Sequence, residues 1–301
     1  MNLDFDIDSV KLIEFGVGTE NGGGQTFYAV PVDASVQAAL RKMTQATWKA
    51  MQKEEGGPTR YEPSEKHGSI EYLFLPLADD WASSMRALHT ASNLSIDASI
   101  LDEPADVFCY FARLTDKKGR RLTALRRAMQ FKGVLKSPLL RLFSDTLTLI
   151  EDRVFKLDSD FDLLVDSTNV LILHPSAFEF AGKLQGAILD AVPENAQAIQ
   201  KEITFVEFSS IQEYAVTHPR AARYLASIRG QEEMKNIDKG ALKKLCKSTG
   251  VEITESKGII GVPAGQEMGF LEVLDRRRYE LELVKGKRER FRAASRKKID
   301  G

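Results

Sequence analysis

The chain has 301 residues, 43% of them apolar, with 42 Lys+Arg against 43 Asp+Glu. That is enough for a sizeable core in one large or two ordinary domains, and a net charge of −1 excludes a chain that is basic throughout. No run approaches the ~20 apolar residues of a membrane helix, and the acidic start MNLDFDIDSV lacks the apolar stretch of a secretion signal, so a soluble cytoplasmic protein is expected.

In chain order, SVKLIEFGV at 9–17 and QTFYAVPV at 25–32 read as strands joined across TENGGG. No Gly-Lys-Ser/Thr and no helix follow those glycines, so they read as a hairpin connection rather than a phosphate cradle. Asp33 or Ser35 then caps a helix reaching about Lys53, with Val36, Leu40, Met43, Thr47 and Met51 on one stripe. A loop over Glu55 to Ser64, a strand within Ile70 to Leu77 and a short helix from Trp81 to His89 come next. The small, acidic stretch from Asn93 to Asp106 marks a domain boundary near Glu103-Pro104, which divides the chain into 1–104 and 105–301.

Val107 to Ala112 is apolar at every position, the pattern of a strand covered on both faces. It ends in Asp116-Lys117-Lys118-Gly119, a type I turn closing on a left-handed residue. Beyond the turn, Arg120 to Phe131 reads as the returning strand. Ten cations between Arg113 and Arg141 face a single acid, Asp116, so charge is segregated in a chain that is balanced overall. Short segments at Leu139–Phe143, Thr146–Ile150, Val154–Leu157, Phe161–Val165 and Val170–Leu173 suggest an antiparallel meander.

From His174-Pro175 the period changes to helical, with Phe178, Ala181, Gln185 and Ile188 on one side of the first helix. Helices follow from Glu194, from Pro219 to Arg229 and from Asp238 to Ser248, the last two stopped at Gly230 and Gly250. Val251 to Ile253 and Gly258 to Val262 read as short strands, and Gly265 to Leu274 as a helix. The tail alternates at Tyr279, Leu281 and Leu283, turns near Lys285-Gly286-Lys287 and returns through Phe291, a second basic hairpin.

Asp158, Asp160 and Asp162 form D-x-D-x-D. On a strand they would share one side and could collect a divalent cation, as a metal-dependent nuclease requires; otherwise they are an acidic turn. Cys109 and Cys246 lie far apart, and no zinc spacing links them to His67, His89, His174 or His218. Cys109, inside the apolar run, reads as a reduced core residue.

Three pieces, YFARLTDKKGRRLTALRRAMQFKGVL, VFKLDSDFDLLVDSTNVLILHPSAFEF and the closing SRKK, together resemble the domain of unknown function of the KwaB family in the bacterial Kiwa anti-phage system. The likeness runs from about Asp106 to Lys298. It implies a cytoplasmic, homo-oligomeric DNA-binding protein, a dimer by preference, working with a KwaA-like multi-spanning membrane partner that would hold it at the inner membrane. It carries over no catalytic residue, and no cofactor or metal is expected. The expected fold is α+β: a small N-terminal α/β part, then a β-rich domain with helical insertions and a basic C-terminal hairpin. From charge placement, the expected phosphate contacts are Lys117, Lys118, Arg120, Arg121, Arg126, Arg127, Lys287, Arg288, Arg290, Lys297 and Lys298, on two hairpins sharing one face. The alternatives are a nuclease using Asp158, Asp160 and Asp162, and a scaffold whose basic faces contact other subunits.

Overall fold

The computed structural model describes residues 3, 5–21, 24–53, 57–65, 67–68, 70–92, 94–97, 107–128, 139–143, 146–150, 157–231 and 233–294, with 21 and 139–150 described by backbone alone. The expected Val154–Leu157 strand, the Glu103-Pro104 boundary, Lys297 and Lys298 lie outside these residues wholly or in large part. The fold is α+β, and the chain forms two compact units, one of Met1–Arg60 with His67–Gly182 and one of Tyr61–Lys66 with Lys183–Gly301.

In the first unit, β1 (Val10–Asn21) and β2 (Gly24–Val30) form the expected hairpin. Helix α1 (Ala34–Met51) follows, capped by the Asp33 carboxylate, which accepts from the Val36 N–H at 2.9 Å. Next come β3 (Thr59–Arg60), β4 (Leu73–Pro76), α2 (Ser83–Thr90), β5 (Ser95–Ile96), β6 (Val107–Asp116) and β7 (Arg121–Arg127). A hairpin of β8 (Leu139–Phe143) and β9 (Thr146–Ile150) precedes β10 (Leu163–Val165), β11 (Asn169–Ile172) and α3 (Pro175–Ala181).

Nine of these strands make one sheet in the order β3-β4-β11-β10-β7-β6-β1-β2-β5, with parallel pairs only at its two edges. Strands β8 and β9 pair with each other in a separate sheet rather than joining a continuous meander. The compact units do not divide near 104, because β1 pairs with β6 from Val10 opposite Asp116 to Thr19 opposite Val107. The sheet thus joins strands from both sides of that point.

Strand β6 lies between β1 and β7, buried along nearly its whole length. Tyr110, Ala112 and Leu114 share a core with Leu40, Met43 and Met51 of α1. The alternate residue Arg113 points the other way and donates to the Ala91 carbonyl, just past α2, at 2.7 Å. One helix thus covers each face, which is why the strand is apolar at successive positions. Buried Thr47 returns its hydroxyl to the Met43 carbonyl and accepts from the Phe161 N–H at 2.8 Å, fixing the chain just before β10.

The second unit contains α4 (Leu184–Asp190), α5 (Val192–Glu202), α6 (Ser209–Ala215), α7 (Pro219–Arg229), α8 (Lys239–Thr249), the small hairpin β12 (Thr254–Ser256) and β13 (Ile259–Gly261), α9 (Glu267–Leu274), and the hairpin β14 (Arg278–Val284) and β15 (Lys287–Arg292). Its interior is built around α7, with Tyr224, Leu225 and Ile228 buried alongside Ile199 and Phe270. The helix expected from Pro175 through Ile188 is two helices. Lys183 adopts a left-handed φ of 52° between them, so Leu184 rather than Gln185 joins Ile188 in the core. Helix α6 was not anticipated. Val251 to Ile253 is not a strand: after left-handed Gly250 (φ 73°) the Val251 N–H closes α8 by donating to the Cys246 carbonyl at 2.8 Å. Both cysteines are free and buried, and burial pushes the Cys246 thiol up to about 11.

Among the described residues no helix is long and apolar enough to cross a membrane. At Gly16, where β1 passes between β2 and β6, a Cβ would collide with the Phe111 ring and the Tyr28 carbonyl. Gly16→Ala is therefore expected to lower stability by about 2–3 kcal/mol, the usual scale for overpacking a filled core, as measured by urea unfolding; an unchanged midpoint would show that the sheet relaxes freely there.

Candidate nucleic-acid interface

The first candidate surface is the β6–β7 turn. Gly119 takes the left-handed φ of 78° that the turn requires. One oxygen of the Asp116 carboxylate accepts from the Lys118 and Arg120 N–H groups, each at 2.9 Å, and the other takes Arg120 Nε at 2.8 Å and Nη2 at 2.7 Å. Burial works to raise the Asp116 carboxyl, but these hydrogen bonds outweigh it and hold the group below the usual carboxylate range. Asp116 is thereby consumed by its own turn, and Arg120 with it. Lys117 and Lys118 stand exposed at the tip, with no ion pair among the described residues.

The cations along β7 face other partners. Arg121 is half-buried and donates to the His89 and Ala91 carbonyls at 2.9 and 3.1 Å. Arg127 lies over the Phe180 ring, 3.8 Å from its centroid, a cation–π contact. Arg126 meets the whole D-x-D-x-D motif: its Nε lies 3.2 Å from Asp158, and its Nη1 lies 2.9 Å from both Asp160 and Asp162. The Arg127 N–H adds a 2.6 Å bond to Asp162, and the Tyr110 hydroxyl donates to Asp158 at 2.9 Å. Burial raises the Asp162 carboxyl above its ordinary value against the pull of the Arg127 N–H and Arg126.

Of the two placements open to the acidic trio, the structure shows the acidic turn rather than the strand. The three residues lie on the irregular chain leading into β10, not on a strand, and they converge on a guanidinium. Among the described residues no group of three His, Cys, Asp or Glu side chains is placed to hold a metal ion. One cation among three carboxylates leaves a local excess of negative charge around Arg126.

The second candidate surface is the β14–β15 hairpin. Every residue from Leu281 through Arg292 is exposed. Arg288 pairs with Glu282 at 3.1 Å and Glu280 at 3.4 Å, Lys287 approaches Glu289 at 3.4 Å, and Arg290 donates to the Ser248 carbonyl at 2.8 Å. The arginines before it are structural. Arg277 is fully buried, bound to fully buried Asp275 at 2.6 Å and to the Ser64 hydroxyl at 2.8 Å. Arg278 and Arg292 both reach buried Glu272, at 2.8 and 3.5 Å. The sequence reading passed over Glu272 and Asp275. Their signal was present: Glu272 is an acid inside the apolar run GFLEVL, and Asp275 immediately precedes three arginines.

Arg126→Met is expected to cost about 3 kcal/mol at neutral pH, because it strands buried Asp162 without its cation. Losing the guanidinium raises the Asp162 pKa further. The protonated form is the one that tolerates burial, so the deficit grows as pH rises through that raised value and shrinks as pH falls through it towards the ordinary carboxylate range. Urea unfolding of both proteins at pH 7 and pH 4 checks this; an equal deficit at both would refute the role assigned to Asp162.

A family model described as Kiwa protein KwaB-like matches residues 106–283, more than half of the 301 residues. No curated protein and no solved structure matches the chain.

Proposed function

The chain belongs to the Kiwa protein KwaB-like family, which places it in Kiwa anti-phage defence, and from that premise we propose that it binds DNA through the exposed cations at the tip of its β6–β7 hairpin, with little dependence on sequence. The observation that carries the reading is the β6–β7 turn. Asp116 is neutralised from within, so Lys117 and Lys118 project as uncompensated positive charge from the end of a rigid, buried strand. Lysines on flexible stems suit contacts to phosphate, which carries charge but no base identity. On the second hairpin Lys287 and Arg288 each have a carboxylate within 3.4 Å, so they stand outside this reading. Arg120, Arg121, Arg126 and Arg127 hold the hairpin together rather than contact DNA. The family adds the remaining elements of the proposal: a homo-oligomer, and a KwaA-like multi-spanning membrane partner that would keep the protein at the inner membrane.

About two phosphate contacts per protein predict that duplex affinity falls on the order of tenfold between roughly 50 and 200 mM salt. Replacing Lys117 and Lys118 by Ala should weaken binding about tenfold or more and reduce the slope of log affinity against log salt by about two. Salt-titrated gel shifts measure both. A salt-independent affinity, or a variant that binds like the parent, would sink the phosphate-contact reading. Incubating the protein with plasmid and magnesium or manganese tests the nuclease alternative, which requires cleavage that Asp160→Asn abolishes.

A further inference from the structure

The β14–β15 hairpin carries its polar side towards the protein and its apolar side towards water. Arg278 and Arg292 bond Glu272 of α9, and Arg290 bonds the end of α8. The register pairs Arg278 with Arg292 and Glu280 with Arg290, so these four lie on the inner side. Tyr279 opposite Phe291, and Leu281 opposite Glu289, lie on the outer side. The Tyr279 and Phe291 rings stack there with centroids 5.7 Å apart. Both rings and Leu281 are about two-fifths exposed, while at the tip Leu283 is 84% exposed and Val284 61%. Lys285, Gly286, Lys287 and Arg288 follow, so residues 283–288 hold two apolar side chains, three cations and no acid.

Three occupants would use such a tip differently. A second copy of the chain would bring the same charge: residues 278–292 contain six cations and three acids, so two hairpins repel. Five exposed apolar side chains also fall well short of the roughly 20–30 residues a side of a stable protein interface. DNA would satisfy the lysines and leave Leu283 and Val284 in water. An anionic bilayer surface satisfies both sets. Apolar side chains enter the headgroup–acyl boundary to a depth of about 5–10 Å, and each Lys or Arg at an anionic surface strengthens binding about fivefold. Tyr279, with one apolar and one polar end, suits the same boundary.

We propose that the tip of the β14–β15 hairpin docks directly on anionic lipid, with Leu283 and Val284 inserted and Lys285 and Lys287 on the headgroups. This contact is separate from the DNA reading and from any membrane partner protein. The test is co-sedimentation of the full chain with vesicles of phosphatidylethanolamine and phosphatidylglycerol, against vesicles of phosphatidylcholine alone. The expected result is binding to the anionic vesicles only, weakened at least tenfold in a Leu283→Asp, Val284→Asp variant that keeps its thermal midpoint and its DNA affinity. Lys117→Ala with Lys118→Ala should leave vesicle binding unchanged, so failure of one proposal is distinguishable from failure of the other. No binding to anionic vesicles by the parent protein, or equal binding by the tip variant, would overturn the proposal. So would a tip variant that loses DNA affinity or changes oligomeric state while vesicle binding persists, since either would assign the outer face to another occupant.

Discussion

A guanidinium taken out of water must find a carboxylate or a carbonyl, and that requirement decides what the two cationic stretches of this chain can do. Arg113 is almost fully buried and is held by Glu14 at 3.0 Å and by the Ala91 carbonyl. Arg126 gathers three aspartates, and Arg277 closes on Asp275 and ties the Tyr61–Lys66 segment into the second unit through Ser64. Breaking any of these pairs strands a charge and costs far more than the pair contributes on balance. The arginines therefore act mainly as internal fasteners.

The division of labour between the two basic residue types follows from their shapes. A planar fork with several fixed donors suits carboxylates and carbonyls that are themselves fixed, whereas an ammonium on a flexible stem is strongly hydrated and resists burial. In the β6–β7 hairpin the arginines Arg120, Arg121, Arg126 and Arg127 all have partners in the fold, and the lysines Lys117 and Lys118 occupy the exposed tip. Counting Lys and Arg together overstates the field that the hairpin projects.

Local features were legible in the sequence, and distant partners were not. The strand buried on both faces, the Gly119 turn, the Asp33 cap, the Gly250 stop and the C-terminal hairpin all rest on residues within a few positions of one another, so propensity and patterning reach them. The Arg126 cluster joins residues 32 to 36 positions apart, and Arg277 reaches Ser64 across 213 positions. No periodicity encodes such a meeting. The D-x-D-x-D motif illustrates the gap: its spacing fits a metal-binding strand, but the chain there is irregular and its neighbour supplies the cation instead. The left-handed Lys183 that breaks the helix after Ala181 carries no turn signature of its own beyond the preceding Gly182.

The two hairpins nevertheless share one device, and it accounts for their exposed charge. In the first, the acid before the turn, Asp116, accepts the Lys118 and Arg120 N–H groups and pairs with the Arg120 side chain. In the second, Glu282 accepts the Gly286 N–H at 2.8 Å and pairs with the Arg288 side chain. Each acid satisfies backbone donors that a tight turn leaves without a ladder partner, and each is neutralised by an arginine beyond the glycine. An acid spent in this way no longer screens the lysines between it and that arginine: Lys117 and Lys118 in one turn, Lys285 and Lys287 in the other. The interaction that shapes each turn is thus also the one that leaves its tip positive. The tips differ in what accompanies the charge: only lysines in the first, and Leu283 with Val284 in the second. One turn design can therefore serve two anionic surfaces, the first with bare phosphate chemistry and the second with an apolar layer beneath its charges.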